Sequence, residues 1–312
     1  MLYLTESDVR RLLPMSTCIE IMRKTFRALS DGTALNQPRR RLYLPTGAVL
    51  HQMAGAVGDY FGTKVYSAHA KHGAHFWFHL FDTKTAEPLA LMEANWLGQI
   101  RTGAASGYAT DLLARSDSTT LGVIGSGFQA HSQIEAVTAV RAIQSVTVWS
   151  RDERRRKSFA EECSAHFHLP VRAAGTAEEA IRSADIVVTA TFAKDPVLED
   201  AWIRPGTHIN AMGSNNAQRR ELPAALIARA DQIVVDSIEQ AKIESGDLLL
   251  AWSSADWNNP RLMELQDAAL GRLRPEHITI FKSNGLGVED VAAGAYVYEH
   301  ARAAGIGQAF YS

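Results

Sequence analysis

The sequence predicts an α/β protein: a doubly wound parallel sheet joined to a smaller α+β domain. Three observations carry that reading. From Ser118 onward, strand candidates at 119–124, 145–149, 185–190, 207–211, 232–236 and 278–281 are mostly separated by helical patterns, as in a parallel sheet covered on both faces. The first run leads into Gly125-Ser-Gly127-Phe128-Gln129-Ala130, a G-x-G-x-x-A loop that opens a helical pattern, the Rossmann dinucleotide fingerprint. Residues 38–100 read differently, as strands joined by turns.

Taken in order, Thr5 followed by Asp8 marks a helix start, with the acid favoured at the positive end of the dipole. Ile19, Met22, Phe26 and Leu29 recur at spacings of three and four, an amphipathic helix ended by Gly32. Strands are expected at 42–44, 63–67, 76–81 and 89–93, with a hairpin turn at Asp82-Thr-Lys-Thr85. Ala104, Ala105, Tyr108, Ala109 and Leu112 make the apolar stripe of a helix over 102–114. Thr176 with Glu179 predicts a capping box, and a last helix is expected over 288–304. That helix would return to the first domain. The expected division is therefore 1–117 with 289–312 as a substrate-binding and dimerisation domain, and 118–288 as a dinucleotide-binding domain.

Composition narrows the function classes. The chain has 312 residues, 46% hydrophobic and 21% charged, as in soluble globular proteins. Its net charge of -2 gives no basic surplus for nucleic acid or an anionic membrane. The run from Arg151 to Lys157 reads mainly as a solvated helix face. Two cysteines, Cys18 and Cys163, suggest neither a disulfide framework nor a zinc site, and a reducing cytoplasm is expected. The first residues lack the pattern of a signal peptide, and no uncharged run approaches the ~18 residues of a membrane span.

The loop at 125–130 implies a nucleotide. Gly125 permits the tight turn, Gly127 the approach of a pyrophosphate, and Ala130 close packing of helix on strand. Phe128 and Gln129 begin the helix, whose N-terminal N–H groups face the phosphates. The second strand ends in Val148-Trp149-Ser150-Arg151. There Ser150 and Arg151 suit a 2′-phosphate, which favours NADP(H); Asp152, were it to face the ribose, would favour NAD(H).

Five blocks in order now resemble the ornithine cyclodeaminase/mu-crystallin family across the whole chain. They are Gly62-Thr-Lys64, Ile100-Arg101-Thr102-Gly-Ala-Ala105, the glycine loop, Gly213-Ser-Asn215 with Arg220-Glu221-Leu222, and Phe281-Lys282-Ser283-Asn284-Gly285. The resemblance implies a homodimer and a substrate carboxylate held by Arg40, Lys64 and Arg101, with Arg39 and Arg41 leaving the register of Arg40 open. It also implies cofactor contacts from Thr102 and Ser283. Lys64 has a second possible role as proton donor, since a buried lysine shifts its pKa readily.

One position departs from the family's cyclodeaminases and some of its dehydrogenases: they carry an aspartate where this chain has Asn215. An amide orients an amine or imine but moves no proton at neutral pH. Asn215 thus tilts the expectation towards an NAD(P)H-dependent reductase of a small α-imino acid, or equivalently an amino-acid dehydrogenase. An ornithine cyclodeaminase with recycled NAD and a non-enzymic crystallin-like binder are the alternatives. His69, His72, His75 and His79 are not expected to hold a metal, because a strand would set His72 opposite His75 and His79. One histidine, His75 before His69, is expected to line the substrate pocket instead. Asp290 reads as a residue near the nicotinamide or as a simple early-helix acid.

Overall fold

In the computed structural model, which describes residues 1–268 and 274–310, the chain divides into two compact units. One is Met1–Ala104 with Gly285–Ser312, the other Ala105–Asn284. The first boundary lies inside a helix, where no change of composition marks it, 13 residues before the expected position. Positions 311–312 of the expected 289–312 segment lie outside the described residues.

The first unit begins with β1 (Leu2–Leu4), α1 (Glu6–Leu12) and α2 (Met15–Ser30). Thr5 and Asp8 form the capping box of α1: the Thr5 hydroxyl accepts from Asp8 N, and Asp8 accepts from Thr5 N at 2.9 Å. The apolar stripe of α2 buries Ile19, Met22 and Phe26, and Gly32 follows its end in the left-handed region. There follow β2 (Ala34–Tyr43), β3 (Val49–Val57), β4 (Tyr60–His69), β5 (Gly73–Asp82), β6 (Pro88–Glu93) and α3 (Asn95–Leu113). The turn after β5 is tied by Asp82, whose Oδ1 accepts from Lys84 N and Thr85 N. Helix α3 begins at Asn95, seven residues ahead of the expected start at 102. The reason is a tertiary cap: the Glu6 carboxylate accepts from Asn95 N at 2.6 Å and Trp96 N at 2.8 Å.

The second unit runs β7 (Thr120–Ile124), α4 (Phe128–Val140), β8 (Ser145–Trp149), α5 (Glu153–Phe167), β9 (Val171–Ala173), α6 (Ala177–Ile181), β10 (Ile186–Thr189), β11 (His208–Ala211), α7 (Ala224–Arg229), β12 (Gln232–Val235), α8 (Ile238–Glu244), α9 (Gly246–Leu249), β13 (Leu262–Glu264) and β14 (Thr279–Lys282). All neighbours are parallel, in the order β13-β12-β14-β11-β10-β7-β8-β9. The order reverses between β7 and β10, the switch point where such sheets bind ligands at their carboxyl ends. Val123 and Val188 point into one core, Ile124 and Val187 into the other, so both faces are covered.

The chain then returns to the first unit as α10 (Gly287–Ala304) and β15 (Gln308–Ala309). That unit's sheet has the order β15-β1-β6-β5-β4-β3-β2, an antiparallel meander from β2 to β6 extended by two short strands. Helix α10 lies against the meander at close range. A Cβ on Gly55 would come within 2.6 Å of the Val288 backbone, and one on Gly287 within 2.5 Å of Ala54 O. Glycine at these positions lets the first turn of α10 reach the sheet.

Candidate active site

Lys64 sits on β4 opposite Phe78 of β5 and Met53 of β3, on the buried face of the meander. Its ammonium lies 2.7 Å from the Asp290 carboxylate, in the first turn of α10. Arg101, on α3, donates from Nε to the same Asp290 Oδ1 at 3.0 Å and from Nη1 to Glu289 Oε2 at 2.7 Å. Arg39 is also buried and donates to the Gly285 carbonyl at 3.3 Å. Three cations are therefore buried in the interior of one unit, and two of them, Lys64 and Arg101, pair with two buried acids.

The electrostatics follow from that arrangement. Burial drives the Lys64 ammonium down to about 7, helped by Arg101 and Arg39 and opposed by Asp290. Burial also disfavours the Arg101 cation, but Asp290 and Glu289 outweigh it and hold the guanidinium firmly charged. Arg101 spends Nε and Nη1 on the acids, leaving Nη2 as the donor of its fork that neither acid engages. The expected bidentate clamp is thus half committed within the protein, as a buried charge requires.

Two expected residues lie elsewhere. Arg40 pairs across β2 and β3 with Gln52, and Gln52 with Val65, the row beside that of Lys64. With a period of two, Arg40 faces away from Lys64, and it is exposed. The irregular register between Gln37 and Arg40 leaves Arg39 as the buried arginine. His75 fails by the same rule: it stands three residues from Phe78 on β5, hence on the opposite face, and is exposed. Glu289 was not read from the sequence, and Asp290 only as a residue near the nicotinamide or a dipole acid. Their adjacency just after the Lys-Ser-Asn-Gly block was the available signal.

In the second unit the glycine loop joins β7 to α4. Gly125 has φ +121°, and a Cβ there would collide with the Ala190 carbonyl oxygen, so glycine is required. At Gly127 a Cβ would meet nothing within 4 Å. Gly127 is the N-cap of α4 with no side-chain cap, Ala130 is fully buried, Gln129 is half-buried, and Phe128 is 55% exposed. This cradle fits a pyrophosphate. Ser150 follows β8 and its hydroxyl accepts from Ser126 at 2.8 Å; Arg151 beside it is exposed. Asp152 caps α5, accepting from Arg155 N.

Of the remaining candidates, Asn215 is half-buried on the loop after β11. Thr102 turns its hydroxyl to Gly98 O at 2.7 Å, and Ser283 donates to Asp236 at 3.0 Å. Beneath the Asn215 loop lies a second buried charge cluster, Glu221, Asp247 and Lys282, with Lys282 Nζ 3.3 Å from Asp247 Oδ2. Burial, then Asp247, pushes the Glu221 carboxyl above the usual carboxylate range against the pull of Lys282. Among the described residues no three His, Cys, Asp or Glu side chains gather as a metal site, and no helix is long and apolar enough to cross a membrane.

Comparison with known proteins adds the following. The sequence pattern described as the ornithine cyclodeaminase/mu-crystallin family matches residues 1–305. A Delta(1)-pyrroline-2-carboxylate reductase of Bacillus cereus is 42% identical over 234 residues, 73% of this chain and 72% of that protein. The structure of Thermococcus litoralis Delta(1)-pyrroline-2-carboxylate reductase in complex with NADH and L-proline is similar with a TM-score of 0.95 at 34% identity, covering 99% of this chain and 100% of that one. An archaeal alanine dehydrogenase dimer with bound NAD is similar with a TM-score of 0.93 at 32% identity, over 100% of this chain and 99% of that one.

Proposed function

Because the chain belongs to the ornithine cyclodeaminase/mu-crystallin family, we propose that it is an NAD(P)H-dependent reductase of a small α-imino acid. The observation that carries the reading is the buried cluster of Arg39, Lys64 and Arg101, which outnumbers its two acids. A surplus cation in a dry interior favours an anionic ligand, and the α-carboxylate of an imino acid is the right charge and size. Arg39 takes the role that the sequence had given to Arg40. When bound, the nicotinamide supplies the hydride for the imino carbon. Lys64, brought down to about 7, can hold or release a proton near neutrality. Asn215 offers an amide to the substrate nitrogen.

NADPH is the preferred cofactor in this reading. Ser150 and Arg151 provide a hydroxyl and a guanidinium for a 2′-phosphate, and Asp152, committed to capping α5, does not compete for the ribose. The relatives with NADH or NAD bound make NADH the comparison to run. The first unit serves substrate binding and homodimerisation, the second the dinucleotide. Edge strand β2 supports the dimer: Leu35, Leu42 and Tyr43 are 69%, 59% and 65% exposed. The buried thiols of Cys18 and Cys163, not joined in a disulfide, fit a reducing cytoplasm.

The test follows reduced-nicotinamide absorbance with NADPH and NADH in turn. The substrates are Delta(1)-pyrroline-2-carboxylate, and pyruvate or glyoxylate with ammonia. Oxidation dependent on an imino acid is expected. Ammonia release from ornithine without net cofactor change would instead mark a cyclodeaminase, and ligand binding with no turnover a non-enzymic binder.

A further inference from the structure

Glu221 and Lys282 have no part in the reaction just proposed, yet their side chains converge under the carboxyl ends of β10, β11 and β14. Glu221 Oε1 accepts from Thr191 N at 2.6 Å and Thr191 Oγ1 at 2.7 Å. Its Oε2 accepts from Gly213 N at 2.7 Å and Thr189 Oγ1 at 2.9 Å. One buried carboxylate thereby ties the loop after β10 to the loop after β11. The carboxylate is held in turn. Asp247 Oδ1 accepts from Glu221 N at 2.6 Å and Leu222 N at 2.9 Å, and Asp247 Oδ2 faces Lys282 Nζ. Lys282 donates to the carbonyls of Ala211 and Ser214, the second immediately before Asn215.

The approach is close on every side. A Cβ on Gly213 would collide with Glu221 Oε1, and the Ala190 carbonyl that bars a side chain at Gly125 belongs to the loop Glu221 holds. The glycine loop, the Thr191 loop and the Asn215 loop thus rest on one anchor.

We propose that Glu221 is a positioning residue for the dinucleotide-binding edge of the second unit's sheet, acting through Thr191 and Gly213, with Asp247 and Lys282 fixing it in place. The role rests on the reading of this unit as the nicotinamide-dinucleotide site. Glutamine cannot replace it. Its single oxygen serves one pair of donors, while its NH2 opposes the other; a threonine hydroxyl can rotate away, but a backbone N–H cannot.

The experiment uses the full chain with Glu221→Gln, Glu221→Asp and Thr191→Val. NADH affinity is read by nucleotide fluorescence, kcat and imino-acid KM by steady-state kinetics. Glu221→Gln is expected to weaken NADH binding about 10-fold, the loss of a charge-assisted contact, and to lower kcat up to about 100-fold through misplacement. The imino-acid KM is expected to rise less than the NADH Kd, because the carboxylate clamp belongs to the other unit and only the Asn215 amide depends on the anchored loop. Glu221→Asp, which keeps the charge, recovers part of both losses. A purely structural role would reduce the folded fraction and leave NADH affinity and kcat per folded molecule unchanged, which overturns the proposal. If Glu221→Gln does not fold, Thr191→Val decides: it keeps the N–H bond, and is expected to shift NADH affinity and kcat in the same direction but less, wild-type values overturning the proposal. If the wild-type chain binds NADH without reducing imino acids, the functional reading fails while the NADH titration still decides the role of Glu221.

Discussion

The two buried charge clusters are assembled from the same parts and differ in what they leave over. The first unit buries three cations with two acids; the second buries two acids with one cation. The second cluster's negative surplus is absorbed inside the protein by the N–H groups of Thr191, Gly213, Glu221 and Leu222. Backbone donors cannot leave, so this cluster is framework. No backbone group can donate to an ammonium or guanidinium, so a surplus of cations is met by acceptors, and a ligand carboxylate is a better one than a carbonyl. The sign of the surplus distinguishes a site from a scaffold.

The largest effect that can break this contrast is Arg101→Ala. It takes one cation away from the buried acids Glu289 and Asp290, with about 3–5 kcal/mol of unfolding free energy lost by denaturant titration. Imino-acid turnover is expected to vanish while NADH still binds. An unchanged imino-acid KM would make the first cluster a scaffold like the second.

Next is the pH dependence set by Lys64. With its ammonium at about 7, the protonated donor is depleted above that pH, and kcat for reduction should fall about tenfold per pH unit there. Lys64→Arg, charged throughout, should abolish that limb of the profile. The stability consequence has the opposite sense. The folded value lies below the ordinary 10.5, so between about 7 and 10.5 the unfolded chain binds the extra proton and stability rises with pH across that window. Urea midpoints measured across that window test the sign.

Smaller again is the cofactor choice. Arg151→Ala should raise the NADPH Kd about tenfold, as for one charge-assisted contact, and leave the NADH Kd unchanged. Equal losses for both nucleotides would remove the 2′-phosphate assignment. The smallest effect is Thr5→Ala, which breaks a cap remote from both clusters. About 1 kcal/mol of stability should be lost, with kcat and both Kd values intact.

The second unit was the more legible of the two. Most of its longer strands are apolar runs with the glycine loop as landmark, and the six expected strands are present. Among the described residues, only the three-residue edge strands β9 and β13 go beyond the expected ones, being too short to carry a period. In the first unit β3 escaped notice because its residues are mostly half-buried and mixed in polarity. The start of α3 escaped because its cap, Glu6, comes from a distant helix. The site shows the same limit. Lys64 and Arg101 were visible in short blocks, but the choice of Arg39 over Arg40 depends on a strand irregularity, and the faces of Arg40 and His75 depend on register. A one-residue slip in a strand exchanges inside and outside. Glu289 and Asp290 join Lys64 only through the close approach of α10 at Gly55 and Gly287.

That return of α10 has a consequence for synthesis. A nascent chain emerges from its N-terminus, and domains generally fold as units in that order. Here the unit containing the first residues lacks its two acids until residues 289 and 290 are made, after the whole of Ala105–Asn284. Until then Lys64 and Arg101 lack these two counter-charges and resist burial. The order on the ribosome is therefore inverted: the later, continuous unit can close first, and the earlier one waits until α10 has been made.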